Sequence, residues 1–286
     1  MKSQSNDTAE ATSVHTSPEY RARFAKAREA LAGSYRRYAL ALGSVAVGLS
    51  IWHALSTLVF NPFLIPPPLE VFRTAVHMFS SGEILRDIRV SMVRVLVGFV
   101  SGSALAVLIG VPMGRLRTVN ELLDPIVELL RYLSPTAMIP IAVIWFGIGE
   151  MAKYFLIFWG TFFIVLINTV AGVMRTPIAR QRAAECLGAS RGQLFLWVIV
   201  PSAVPHIVIG MRIAMAAAFM SIIPAEILAA DSGLGNLLQT SGLLLQTNRM
   251  FVALGTISVL GYVTDRLFRL AIDRLLFRYM SLAALT

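Results

Sequence analysis

The chain has 286 residues, of which 56% are hydrophobic and only 14% are charged, against about 25% charged residues in an average soluble domain. This composition excludes an ordinary soluble protein and predicts an all-α integral membrane protein. The net charge of +9 does not indicate nucleic acid binding here, because the basic residues lie between apolar runs, as is typical of cytoplasmic loops. The single cysteine, Cys186, excludes an intrachain disulfide and a thiolate metal cluster.

Residues 1–37 are predicted to form a cytoplasmic N-terminal tail. The first 17 residues are polar and lack the apolar segment of a signal peptide, so we expect them to be disordered. Residues 19–37 carry six basic residues. They fit equally well a helix on anionic lipid or a solvated, positively charged flank of the first span.

The apolar residues suffice for six transmembrane helices, at about 20 residues per span. The prolines at 66–68 cannot be helical in lipid, and residues 69–89 are expected to form an interfacial helix. The transmembrane domain is predicted to cover residues 38–274, and a cytoplasmic tail follows at 275–286. The six spans are expected near residues 38–60, 90–112, 125–147, 153–173, 204–229 and 250–270, and the short turn at 147–150 pairs the third with the fourth.

The distribution of basic residues predicts the orientation of these spans. If both termini are cytoplasmic, 17 of the 25 Lys and Arg residues lie on the cytoplasmic side and 5 on the other side. This asymmetry is what the positive-inside rule requires. We therefore expect both termini and the loop 174–200 to be cytoplasmic, and residues 61–89 and 231–249 to face outward.

The loop 174–200 contains a predicted helix, a sharp turn and a second helix. Residues 180–187 are good helix formers, and Gly188 follows them as a left-handed residue that ends a helix. Ser190 and Gln193 have the spacing of a capping box before an apolar run that ends at Pro201. The small residues of the first helix would allow it to dock in a groove on a partner, but an ordinary helix-turn-helix connector fits the pattern equally well.

Residues 182–201 also resemble a known motif, the EAA loop of ABC importer permeases. In that family a Glu-Ala-Ala sequence, a glycine four residues later and a distal Leu-Pro form the coupling helix that contacts the ATPase. Arg182 replaces the acidic residue, so the resemblance implies an altered contact to which Glu185 contributes. The residues that it assigns to ATPase coupling are Arg182, Ala183, Ala184, Glu185, Gly188, Ala189, Ser190 and Pro201.

Several other segments resemble the nitrate, aliphatic-sulfonate and taurine branch of these permeases, most specifically Trp145-Phe146-Gly147-Ile148. The resemblance implies a type I importer fold in the bacterial inner membrane, with a second permease copy, two ATPase subunits and a periplasmic or tethered substrate-binding protein. It also implies a small anion as substrate. No cofactor is expected in this chain, because none of its three lysines follows a glycine as a phosphate-binding Walker A loop requires. ATP and Mg are therefore expected on the partner ATPase.

Ionisable residues inside the spans are candidates for function, because a charge in mid-bilayer is costly. Glu226 either faces the translocation path, pairs with a basic residue across a subunit interface, or caps broken helix ends near the outer surface. Arg131 is a candidate for the path, although it and Arg212 can also extend to the membrane surface. Arg94 is interpreted as a lipid headgroup anchor.

Pro135, Thr136 and Asn168 complete the candidate path residues. The prolines of the third span free backbone carbonyls, and broken helices of this kind line the pathways of transporters. A packing kink is the alternative. Gly98 with Gly102, and another such pair at 110 and 114, have the spacing of closely packed membrane helices. No histidine pair has metal-ligand spacing, so no metal site is predicted.

Two other classes of membrane protein compete with the permease. An ion-coupled or proton-coupled secondary transporter would show inverted repeats and several intramembrane acids, whereas only Glu226 lies well inside a span. A membrane-embedded enzyme would need catalytic residues clustered at suitable spacing, and none are found. The importer permease is therefore the favoured function, and the protein is not expected to be an enzyme.

Overall fold

The structure, a computed structural model, describes residue 40, residues 43–229 and residues 231–275. The predicted N-terminal tail and residues 276–286 of the C-terminal tail lie outside this part of the chain. All regular elements of the described residues are helices, which agrees with the predicted all-α class. The chain divides between Pro68 and Leu69 into two compact units.

The first unit contains one apolar helix, α1 (Gly43–Val59), which covers the described part of the predicted first span. Its last turn, Leu55–Val59, is a π-helix. The hydroxyl of Ser56 donates a hydrogen bond to the carbonyl of Ile65, 2.6 Å away, which holds the chain close to α1 after the helix ends. Pro68 then begins the next helix, at the one position where a missing amide donor costs nothing.

The second unit consists of ten further helices within the described residues. Helices α8 and α9 are joined by a π-helical segment, Phe195–Ile199, into one continuous helix. The helices are α2 (Pro68–Ser80), α3 (Glu83–Arg115), α4 (Arg117–Leu130), α5 (Ile139–Phe146), α6 (Glu150–Met174), α7 (Ile178–Cys186), α8 (Arg191–Leu194), α9 (Val200–Ala229), α10 (Leu234–Leu243) and α11 (Thr247–Leu275).

Four helical stretches of the described residues are long and apolar enough to cross a membrane: α3, α6, Arg191–Ile227 and α11. They correspond to the predicted second, fourth, fifth and sixth spans. The third span, expected near 125–147 and interrupted by prolines, is divided into α4 and α5 by residues 131–138, and α4 begins at Arg117, ahead of the predicted start. Pro135 lies in this break, and a proline disfavours helical backbone at the residue before it.

Two further boundaries differ from those predicted. The interfacial helix expected at 69–89 breaks at Ser81 and Gly82, and its second half forms the beginning of α3. The second helix of the loop 174–200 is continuous with the fifth span expected near 204–229, because α8, the π-helical segment and α9 form one helix through Pro201. The π-helical segment ends at Ile199, two residues before Pro201, whose missing amide donor removes one α-helical hydrogen bond.

Helices α3 and α6 pack in parallel through the predicted glycine pairs. A Cβ atom added to Gly98 would lie 2.6 Å from the Cβ of Ile157, and one added to Gly114 would lie 2.6 Å from the Cβ of Val173. Both contacts are closer than real side chains allow, so the glycines permit the two backbones to approach. Because the contacting residue numbers rise together, the two helices point in the same direction.

Helices α6 and α9 pack in the opposite sense. A Cβ atom on Gly172 would lie 2.7 Å from that of His206, and one on Gly210 would lie 2.5 Å from that of Asn168. Residue numbers rise on one helix as they fall on the other, so α9 is antiparallel to α6. The C-terminal ends of α3 and α6 and the start of α9 therefore lie at one end of the bundle, and the N-terminal ends of α3 and α6 lie at the other.

Candidate functional site

The loop 174–200 has the predicted helix, turn and second helix. Helix α7 is followed by Gly188 at φ +81°, the left-handed conformation that ends a helix. The backbone amide of Gln193 donates to the Ser190 hydroxyl at 3.3 Å, and the Ser190 amide donates to the Gln193 side chain at 2.8 Å. Both halves of the predicted capping box are thus present.

The side chains of this loop divide into an exposed and a packed set. Leu187, at the tip, is 89% exposed, although it is a large apolar residue. The predicted coupling residues Ala184, Ala189 and Pro201 are partly buried. The exposed predicted coupling residues are Arg182, Ala183, Glu185, Gly188 and Ser190.

A small apolar cluster attaches the loop to the helical bundle. Val173 at the end of α6, Leu194 in α8 and Ala203 in α9 are buried in it, and Ala184 packs against it. The small size of Ala184 therefore serves packing within the chain, whereas Ala183 is exposed. A rigid attachment of this kind would transmit a force on α7 to the ends of α6 and α9.

The opposite end of the bundle contains a group of polar residues, which we call the ion-pair network: Ser91 and the charged residues Arg94, Glu150, Lys153 and Glu226. The Arg94 side chain is 3% exposed and Glu226 is fully buried. The guanidinium donates two hydrogen bonds to Glu150, at 2.6 and 2.8 Å, and one to Glu226, at 2.8 Å. The Lys153 ammonium group lies 2.9 Å from Glu150. Two positive and two negative charges balance, which offsets the burial of Arg94, Lys153 and Glu226, whereas the Glu150 side chain is 48% exposed.

Glu226 also caps the beginning of α10. It accepts a hydrogen bond from the backbone amide of Gly235 at 2.7 Å, while the hydroxyl of Ser91 accepts one from the amide of Leu234 at 2.9 Å. These amides belong to the first turn of the helix, which has no intrahelical acceptors for them. A Cβ atom on Gly233 would lie 2.5 Å from the carboxyl carbon of Glu226, so the chain passes too close for a larger residue.

The ion-pair network was largely missed by the sequence predictions. Arg94 is not a lipid headgroup anchor, because it is buried and paired within the chain. Of the alternatives for Glu226, capping of a broken helix end describes the observed contacts, and its basic partner lies in the same chain. The signal was available: Arg94 and Glu226 each lie in an apolar span, and charges in spans pair with one another.

The candidate path residues are not brought together into one group by the described contacts. Pro135 approaches α6 at Gly160, whereas Asn168 contacts Gly210, about 12 Å further along α6 at ~1.5 Å per residue. Arg131 forms an ion pair with Glu128 at 2.8 Å, and Thr136 is exposed. The roles of these residues and of Glu226 in the path stay predictions.

Comparison with known proteins gives the family. Residues 102–277 match the family of binding-protein-dependent transport system inner membrane components. The taurine transport system permease protein TauC of Escherichia coli is 34% identical over 80% of this chain and 86% of its own length. A Bacillus subtilis relative whose name refers to aliphatic sulfonates transport is 31% identical over 81% and 84%, and the nitrate import permease protein NrtB of Synechococcus elongatus is 27% identical over 77% and 83%.

Proposed function

The chain belongs to the family of binding-protein-dependent transport system inner membrane components, and from this premise we propose that it forms the membrane path of a type I ABC importer for a small anion. It is an ABC transporter permease of the nitrate, sulfonate and taurine branch and a multi-pass protein of the bacterial inner membrane. This membership decides against the secondary-transporter alternative. Two copies of the chain form the path, which accepts the anion from a substrate-binding protein.

In this proposal the chain crosses the membrane six times and both termini are cytoplasmic. Helices α4 and α5 together form the third span, and α1 is part of the first. The packing directions support this topology, because parallel α3 and α6 with antiparallel α9 bring residues 115–117 to the same side as the loop 174–200. Both segments are basic, as expected of the cytoplasmic side.

The loop 174–200 is the docking site of the ATPase, and its geometry is the observation that carries the proposal. A left-handed glycine and a capping box fix the conformation of the turn after α7, yet the tip of the loop is exposed. An exposed Leu187 beside exposed small residues is suited to a groove on a partner. Because the cluster beneath α7 joins α6 and α9, movement of the ATPase is transmitted to both helices.

The substrate is a nitrate, sulfonate, taurine or related organic acid anion. The support is chemical likeness among relatives, whose names refer to taurine, aliphatic sulfonates and nitrate, all anions or zwitterions with an oxyanion head. The permease itself has no Walker A sequence. Energy therefore comes from a separate ATPase.

Reconstitution tests the proposed function. Proteoliposomes that contain this permease, its co-encoded ATPase and its binding protein are expected to accumulate a labelled alkanesulfonate, taurine or nitrate only when ATP is present. The purified permease alone is expected to hydrolyse no ATP. Uphill uptake by the permease without the ATPase would contradict the proposal.

The topology is tested by labelling single cysteines in a Cys186→Ser background with a membrane-impermeant maleimide. A cysteine in place of Arg191 is expected to react only in inside-out vesicles, and one in place of Arg73 only in intact spheroplasts. Labelling of the Arg191 position from outside would overturn the orientation.

A further inference from the structure

A cleft of about 650 Å³ opens at the end of the bundle where α3 and α6 begin, within the range of about 300–1,000 Å³ typical of small-molecule sites. The ion-pair network forms one wall of it, through Arg94 and Glu150. Apart from Ser232, in the loop before α10, the other lining residues come from α3 and α6 and include two more arginines, Arg86 and Arg89, and Tyr154.

The arginines of the cleft differ in how their charges are balanced. Arg94 is neutralised by Glu150 and Glu226. Arg86 and Arg89, one helical turn apart and both exposed, form no ion pair within residues 43–229 and 231–275. Arg86 still has acidic neighbours, since it also borders a second cavity with Glu83, Asp87 and Asp231. On α3 the acidic residue nearest to Arg89 in sequence is Asp87, which accepts a hydrogen bond from the Gly233 amide at 2.9 Å and does not line the cleft. Residues two apart on a helix do not face each other, so the Arg89 guanidinium is the charge available to a ligand.

Apart from Ser232, whose carbonyl accepts a hydrogen bond from Arg94, the remaining lining of the cleft is apolar. Leu85, Val90 and Val93 lie along α3 beside the arginines. A bare inorganic anion would gain nothing from this surface, whereas an anion with a short hydrocarbon body would bury that body there. The phenol of Tyr154, on the facing helix, can donate a hydrogen bond to an anionic oxygen.

We propose that this cleft is a receiving site for the sulfonate or carboxylate head of a small organic anion, held by Arg89 with support from Arg86 and Tyr154. The inference rests on the proposed function and narrows its substrate from any small anion to one with an apolar body. With the proposed orientation the cleft faces outward, so it is occupied before the anion enters the path. A planar guanidinium binds two oxygens of such a head at once.

Direct binding tests the site without the binding protein. The permease, assembled with its ATPase in nanodiscs of zwitterionic lipid, is titrated with butanesulfonate and observed by saturation-transfer NMR. We expect Arg89→Gln to weaken binding about five-fold, as loss of one partly exposed charge contact predicts, and Arg89→Lys to weaken it less. Nitrate is expected to bind more weakly than butanesulfonate.

Arg73→Gln is the matched control, because Arg73 is an exposed arginine of α2 that does not line the cleft. It is expected to leave binding unchanged. Equal binding by wild type and Arg89→Gln would overturn the proposal, and so would nitrate binding as tightly as butanesulfonate. Loss of the wild-type signal in nanodiscs of phosphatidylglycerol would also overturn it, by assigning the cleft to a lipid headgroup.

A transport measurement distinguishes failure of the proposed anion site from failure of the proposed function. In proteoliposomes of zwitterionic lipid that contain the complete importer, Arg89→Gln is expected to lower the butanesulfonate imported per ATP hydrolysed, while the affinity for the liganded binding protein stays that of wild type. If the wild type accumulates no anion, the proposed function fails. If the wild type transports normally but Arg89→Gln loses affinity for the binding protein, the cleft is a docking surface for that protein and this inference fails alone.

Discussion

The two ends of the helical bundle use polar residues in opposite ways. At the ion-pair network, Arg94 and Glu226 are buried and each is paired within the chain. At the loop 174–200, Arg182 and Glu185 are exposed and form no ion pair in the described part of the chain. Groups whose partners are present stabilise the fold, whereas groups fixed in place without partners are available to another subunit. The first end therefore holds the helices together, and the second end is where the proposed function places the action of the ATPase on them.

The largest expected effect is at the ion-pair network. Arg94→Met removes the cation between two carboxylates and leaves Glu226 buried and unpaired, which costs about 3–5 kcal/mol for comparable sites. We therefore expect a large fall in thermal stability, measured in detergent by the scattering and fluorescence of the purified permease.

Two further variants separate charge from shape at this site. Arg94→Met with Glu226→Gln removes the unpaired buried charge and is expected to recover part of the lost stability. Arg94→Lys keeps the positive charge, but a lysine ammonium group lacks the planar guanidinium that contacts both carboxylates. A stability between those of the wild type and Arg94→Met is therefore expected. Wild-type stability of Arg94→Met would show that the network does not hold this end together.

A smaller effect is expected at the loop before α10. Gly233 has φ +119° and lies against the Glu226 carboxylate, so Gly233→Ala combines backbone strain with a steric clash. Strain of this kind amounts to about 1–3 kcal/mol. We expect reduced thermal stability, and hydrogen exchange is expected to accelerate specifically at the amides of Leu234 and Gly235. An unchanged exchange rate at the Gly235 amide would contradict the capping role of Glu226, and an unchanged rate at the Leu234 amide would contradict that of Ser91.

Two neighbouring alanines of α7 test the division of the loop into packed and exposed residues. Ala184→Trp overfills the cluster around Leu194, which typically costs about 1–3 kcal/mol, and is expected to lower the melting temperature. Ala183→Trp is expected to leave stability unchanged while reducing ATPase binding in a pull-down. If Ala183→Trp lowered stability and Ala184→Trp reduced only ATPase binding, the face of α7 that carries Ala184 would be the docking face.

The smallest effect is expected for the residue that departs from the family pattern. Because the proposed contact has adapted to Arg182, Arg182→Glu should mildly reduce uptake with the native ATPase and leave stability within about 0.5 kcal/mol of wild type, as for other surface substitutions. Uptake above the wild-type level would show that the ATPase still accepts the acidic contact of the family pattern.

Some features of this protein could be predicted from sequence because they are local. The capping box and the left-handed Gly188 depend on residues within one or two helical turns, so their spacing was sufficient. The same holds for the glycine pairs of α3, whose spacing marks a packing face. The family resemblance of residues 182–201 and of the Trp145 turn led to the family that the comparisons confirm.

Other features depend on residues far apart in the chain. The partner of Arg94 at Glu226 is 132 residues away, and nothing in the local sequence identifies it. The break of the third span was visible as Pro135, but its extent over residues 131–138 depends on contacts with α6, including the hydrogen bond from the Trp159 indole to the Leu133 carbonyl at 2.9 Å. The continuation of α9 through Pro201 likewise depends on the buried cluster beneath the loop.

The most direct measurement of the central claim is co-purification of the ATPase with variants of Gly188. Nothing lies within 4 Å of a Cβ atom added there, so Gly188→Val acts through the left-handed backbone, which β-branched residues avoid. Gly188→Asn is the matched control, because asparagine tolerates that conformation. We expect Gly188→Val to insert and dimerise but to lose the ATPase and uptake, and Gly188→Asn to keep most of both. Wild-type ATPase binding and uptake by Gly188→Val would show that the loop 174–200 is only a connector.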